Sequence, residues 1–145
     1  VIDVSVAAET GQIAVAAGNH GAAPAGASAP NPDADPQLFL FNADRTLVWS
    51  RELPGYNLLS CVISPDGKFI AAGSYTVHTN KPMERVSAVI DMNGQIYYSN
   101  QRLFKNAAFS NDSRTLLLTE NQHAQLIDLT AASQVWLKTI GKANL

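Results

Sequence analysis

The stretch Ser64-Pro65-Asp66-Gly67-Lys68-Phe69-Ile70-Ala71 decides how the rest of the chain is read. Proline presets φ near −65° at the second position of a type I turn, and glycine is favoured at the fourth. Apolar runs flank the turn, Cys61-Val62-Ile63 before it and Phe69-Ile70-Ala71-Ala72 after it, so the segment reads as a β-hairpin. The same design recurs on either side. Val4 to Gly11 runs into Gln12 to Gly18, and Asn106 to Ser113 runs into Arg114 to Thr119. Gly11, Gly67 and Ser113 align at the turn in this reading.

Each hairpin is followed by another. Leu38-Phe39-Leu40-Phe41-Asn42 returns through Thr46-Leu47-Val48-Trp49, Ser87 to Asp91 through Gln95 to Tyr98, and Gln125 to Asp128 through Gln134 to Trp136. Asn93-Gly94 is the strongest short hairpin signal of the set, because both residues tolerate positive φ. Asn42, Asp91 and Asp128 hold one place before the turn, where a short polar side chain can accept from the turn's amides. Trp49, Tyr98 and Trp136 hold one place on the last strand. The unit is therefore four strands, a-b-c-d, repeated three times at offsets of about 56 and 46 residues, with no convincing helix. Units of this kind build the blades of a β-propeller, and a β-sandwich of about 12 strands is the competing fold. The expected blades cover about 1–56, 57–102 and 103–143 of one all-β domain, with 144–145 starting a next blade.

Composition narrows the function classes. The 145 residues carry a formal charge of −2 with 46% hydrophobic residues, which suits one folded domain. Ten Lys and Arg residues in no basic run argue against nucleic acid as a partner. A single cysteine, Cys61, excludes an internal disulfide and a multi-cysteine zinc site. No apolar run approaches the roughly 20 residues of a membrane span. The first residue is Val1 rather than Met, which reads as a processed or excised product, and the residue usage leans towards an extracytoplasmic location.

On the Ser64–Ala71 run and the Asp128-to-Trp136 and Asn42-to-Trp49 spacings, the chain resembles the WD-repeat-like and PQQ-like β-propeller superfamily. The resemblance implies that the last-strand aromatic of each blade docks on its neighbour. It specifies a fold and no activity. Thr130-Ala131-Ala132 lacks the usual Thr-Gly of the docking motif, and Cys61 alone cannot form the vicinal disulfide of the quinoprotein enzymes.

Candidate sites are few. His20, His78 and His123 fall on the three b–c connections, where convergent imidazoles could bind a transition metal, although a polar loop explains each equally well. Asn31, Asp33 and Asp35 alternate as calcium-loop donors do, without the following Gly or a bidentate Glu; calcium is the one cofactor they would suit, and a solvated acidic loop is the simpler reading. Cys61 reads as a small buried hydrophobe. No nucleophile elbow, phosphate loop or His-Glu-x-x-His is present, so catalysis has no support.

Three blades do not close a ring, since closed propellers have four to eight. The outer faces of the first and last blades would expose patches of several hundred Å², more than a soluble monomer normally shows. Protein partners, further blades from the same or another chain, or a homodimer closing a six-bladed ring would cover them. The expected function is thus a non-enzymatic scaffold for protein binding or assembly. A fragment of a propeller enzyme, quinoprotein-like or a calcium-dependent hydrolase, with an axial site, is the alternative.

Overall fold

The computed structural model describes residues 3–17, 37–52, 57–75, 85–102, 104–120 and 122–139. Twelve strands form three separate four-stranded antiparallel sheets. Blade 1 holds β1 (Asp3–Val6), β2 (Ile13–Ala17), β3 (Gln37–Phe41) and β4 (Leu47–Glu52). Blade 2 holds β5 (Asn57–Ile63), β6 (Phe69–Tyr75), β7 (Arg85–Asp91) and β8 (Ile96–Asn100). Blade 3 holds β9 (Asn106–Phe109), β10 (Thr115–Glu120), β11 (His123–Asp128) and β12 (Ser133–Thr139). Strand order within each sheet follows the chain, so every blade is a meander without crossovers.

The first strands of the blades meet. Both β1 and β2 pack on β5, and β5 meets β9, so the sheets follow one another as blades of a propeller-like segment rather than stacking as a sandwich. Among the described residues there is no helix, and none therefore is long and apolar enough to cross a membrane.

Alternation explains the sheets. In β2 and β3 every second residue is fully buried, namely Ala14, Ala16, Leu38 and Leu40, while their neighbours are half-buried. Cross-strand partners share a face, so each blade presents two distinct surfaces. One surface of blade 1 meets one surface of blade 2 in a core of Ala14, Ala16, Leu38 and Leu40 against Cys61, Ile63, Ile70, Ala72, Ala88 and Ile90. A second core joins Ala71 and Val89 of blade 2 to Leu116, Leu118 and Ile127 of blade 3, with Phe104 between them.

Register puts the repeat on firm ground. Leu40 pairs with Trp49, Val89 with Tyr98, and Leu126 with Trp136. The residue after each of the first partners, Phe41, Ile90 or Ile127, sits across a register shift. A β-bulge at the same point of every blade re-aims the last strand, as bulges do. The first hairpin corrects the sequence alignment by one residue. Val6 pairs with Ile13 and Ile63 with Ile70, so the offset there is 57 and Gly11 aligns with Lys68 rather than with Gly67. The turns differ accordingly. Gly67 N–H donates to Ser64 O at 3.0 Å, three residues back, and Ser113 repeats this with Ser110 at 2.9 Å. Gly11 N–H reaches Ala7 O, four residues back, at 2.9 Å. The left-handed φ thus falls one place later in blade 1, at Gly11 (70°), than in blades 2 and 3, at Gly67 (74°) and Ser113 (57°).

Candidate functional site

The chemistry of this molecule is concentrated where blades meet. At the first junction the indole N–H of Trp49 donates to the carbonyl of Met92, at 2.7 Å, in the c–d turn of blade 2. The guanidinium of Arg51, two residues along β4, donates Nη1–H to the carbonyl of Gly94 in the same turn. Gly94 has φ of 78°, and its missing Cβ would stand 3.4 Å from the Trp49 ring. That is ordinary contact, so glycine is needed here for the backbone conformation rather than for space.

The second junction uses other groups in the same place. Tyr98 matches Trp49 by register and packs on the core of blade 3, but its neighbour Tyr97 reaches the turn, donating its hydroxyl to Leu129 O at 2.6 Å. Leu129 follows Asp128 as Met92 follows Asp91. The Tyr98 hydroxyl accepts from Gln125 Nε2 at 3.0 Å. Gln125 also donates to Gln134 Oε1 at 2.8 Å and accepts from Asn100 Nδ2 at 2.7 Å, so both donors and the oxygen of this buried amide have partners.

At the opposite edge the a–b turns link blade to blade. Glu9 N–H donates to Pro65 O at 2.9 Å, and Asp66 N–H donates to Ser113 Oγ at 3.3 Å. Inside these turns, blades 2 and 3 repeat one network. Ser64 Oγ donates to Asp66 Oδ1 at 2.8 Å and accepts from Phe69 N–H at 3.0 Å; Ser110 does the same with Asp112 at 2.6 Å and Thr115 N–H at 3.0 Å. Burial pushes the Asp66 carboxyl up, but hydrogen bonds from Ser64, Lys68 and Ser113 together hold it below its ordinary value. Asp112 is lowered by the Ser110 hydroxyl and the Arg114 amide. The first strands add polar links: Cys61 N–H donates to Asp3 Oδ2 at 2.9 Å and Ile63 N–H to Ser5 Oγ at 3.1 Å.

The three residues before the c–d turns do not act alike. Asp91 Oδ1 accepts from the amides of Asn93 and Gln95 at 2.9 and 2.8 Å, and Asp128 Oδ1 accepts from Thr130 at 2.7 Å. Asn42 instead donates Nδ2–H to Thr46 Oγ1 at 3.1 Å. In blade 1 the capping carboxylate is Asp44, which accepts from both Thr46 N–H and Thr46 Oγ1 and is lowered by them.

The remaining candidates are dispersed. His123 lies at the start of β11, opposite Glu120 and Thr139, while His20 and His78 lie outside the described residues. Asn31, Asp33 and Asp35 also lie outside them. Among the described residues no three His, Cys, Asp or Glu side chains cluster to hold a metal ion. Cys61 is buried, and desolvation, with the charge of Asp3 beside it, pushes its thiol up to about 12, which makes it a poor nucleophile.

Two faces are left over, and both repeat faces already in use. The face of blade 1 that docks on blade 2 carries the rows Ser5–Ala14–Leu40–Trp49 and Asp3–Ala16–Leu38–Arg51. On blade 3 the matching rows are Ala108–Leu117–Leu126–Trp136 and Asn106–Thr119–Ala124–Lys138. There Leu117 is 36% exposed, Trp136 is half-buried, and Lys138 Nζ stands 5.9 Å from the Trp136 ring centroid. The other face of blade 1 carries Val4, Val6, Ile13, Val15, Phe39 and Phe41, which match Cys61, Ile63, Ile70, Ala72, Ala88 and Ile90 on the receiving face of blade 2. On blade 1 this set stays open, with Val4 52% and Val6 59% exposed. The aromatic–x–cation pattern of Trp49–Arg51 and Trp136–Lys138 is the signal in the sequence for the cation's part in docking. Tyr97 and Gln125 left no such signal.

No protein-family model matches the chain, and no curated protein matches it.

Proposed function

We propose that this chain is a non-enzymatic scaffold of β-propeller blades that binds or assembles proteins through its two open blade faces. One observation carries the reading. Blade 3 ends in a face that repeats, row for row, the surface with which blade 1 docks on blade 2, and blade 1 opens with a face that repeats the receiving surface of blade 2. Exposed apolar side chains grouped on one sheet face, as Val4 and Val6 are on blade 1, mark sites of protein contact. Further blades, of this chain or another, are the natural cover for them. The contact of Trp49 with the Met92 carbonyl of the next blade supports the resemblance to the PQQ-like propellers, in which the last-strand aromatic packs against the neighbouring blade.

Thermal melting with pyrroloquinoline quinone and calcium, together and separately, tests the reading against a propeller enzyme. The scaffold should melt at an unchanged temperature. A specific ligand at 100 times its Kd would add about 2.7 kcal/mol and raise the melting temperature by roughly 5–10 °C. Such a rise would overturn the scaffold reading.

A further inference from the structure

We infer that the occupant of both open faces is a second copy of this chain, joined head to tail about a two-fold axis into a ring of six blades; the inference rests on the scaffold reading. Blade 3 of each copy docks on blade 1 of the other, so the ring contains two identical new junctions. Closed propellers hold four to eight blades, and the three sheets of the described residues, taken from two copies, make six.

The matching of turns sets the pairing. In the first junction Trp49 and Arg51 grip a c–d turn in which Gly94 N–H donates to Asp91 O at 3.0 Å and φ at Gly94 is 78°. Blade 1 offers a turn of the same length and shape. Arg45 N–H donates to Asn42 O at 2.9 Å, φ at Arg45 is 71°, and Phe41 and Leu47 pair across it as Ile90 and Ile96 do. Trp136 and Lys138 therefore find in the Ala43 and Arg45 carbonyls of the second copy what Trp49 and Arg51 find in Met92 and Gly94. The turn of blade 3 is one residue longer, since Ile127 pairs with Gln134, and it takes a tyrosine instead. That turn is moreover already engaged by Tyr97 of blade 2, which leaves the turn of blade 1 as the matching one. Arginine in place of glycine at this position fits the indole, because a Cβ at Gly94 would lie at ordinary contact distance from the Trp49 ring. The Arg45 side chain would extend over Trp136 from that point and add a cation–π contact.

Light scattering on the chain at about 10 and 100 μM tests this. The expected mass is twice the 15.5 kDa of one chain. Val6→Arg on the blade 1 face and Leu117→Arg on the blade 3 face, both at exposed positions, should each halve it while leaving the far-UV circular dichroism unchanged. An equimolar mixture of the two variants keeps one unmodified junction and should form pairs again. A folded monomer at the higher concentration would overturn the second-copy inference without touching the scaffold reading, whose failure shows instead as a ligand-raised melting temperature. Dimers indifferent to both arginines, a mixture that stays monomeric, or mass growing without limit would each overturn it too.

Discussion

The two junctions between blades occupy the same positions and solve the same problem with different materials. Along the second row of the first junction stand Ala16, Leu38 and Arg51, and the space is filled by aliphatic side chains. The same row in the second junction reads Gly73, Ser87 and Asn100, too small to fill it. There Phe104, from the connection between blades, is inserted and buried at 2% exposure. Gly73 makes room: a Cβ there would stand 3.3 Å from Phe104 O and 3.4 Å from its ring. Ser87 Oγ donates to the carbonyl of Arg102 and fastens the same connection. A propeller junction is thus specified by its register and its volume, and the residues that supply the volume can come from the sheet or from the linker.

The largest expected effects break the two fillers separately. Leu38→Ala should destabilise by about 2–5 kcal/mol and Phe104→Ala by about 3–5 kcal/mol, as buried truncations do. Leu38 and Phe104 belong to different clusters, so the double variant should cost the sum within about 0.5 kcal/mol. Urea unfolding of the three variants measures this. A double variant much less damaging than the sum would mean that one junction fails as soon as the other does.

A smaller effect separates the polar design from the dry one. Gln125→Leu keeps the volume of a side chain that is 4% exposed but leaves the Asn100 amide without its acceptor and the Tyr98 hydroxyl without its donor. The expected cost is about 1–3 kcal/mol, the penalty for orphaned polar groups. Tyr98→Phe in the Gln125→Leu background should recover part of it, because a partnerless hydroxyl has then been removed as well. If Gln125→Leu were neutral, the amide network would be incidental and packing alone would hold the second junction.

Much of this was legible in the sequence and some was not. Short apolar runs on either side of turn residues marked every one of the twelve strands, because each hairpin is a local object. The matching of Trp49, Tyr98 and Trp136 was readable for the same reason: a repeated spacing between turn and aromatic. The exact place of Gly11 was not. Ala7 to Gln12 and Ser64 to Phe69 are loops of equal length, yet they put the left-handed residue at different positions, and only pairing across the strands reveals it. The exchange of Trp49 for Tyr97 as the group that grips the next turn was hidden too. It depends on which side of a bulge each side chain leaves the strand. Phe104 lies in a linker with no periodicity to flag it, and its burial is a property of the gap that Gly73 and Ser87 leave.

The smallest expected effect concerns pH, and it too falls unequally on the two junctions. The a–b turns at the first junction meet through the backbone, Glu9 N–H to Pro65 O, which does not titrate. At the second they meet through Asp66 N–H and Ser113 Oγ, beside a carboxylate held below its ordinary value. A carboxyl depressed by folding contributes stability that is fully present above its unfolded pKa and lost as pH falls through the folded one. Asp44, Asp112 and Asp128 are depressed by hydrogen bonds in the same direction, but those bonds lie within their own turns, Asp44 and Asp112 at exposed positions and Asp128 at a half-buried one. Urea midpoints should therefore hold from neutral pH down to the ordinary carboxyl range near 4 and fall below it. Asp66→Asn keeps an acceptor for the Lys68 amide but has no charge to lose. It should lower the midpoint slightly at pH 7 and flatten the acid slope, more than Asp44→Asn does. Equal flattening by both would place the pH response in the turns themselves rather than in the junction they serve.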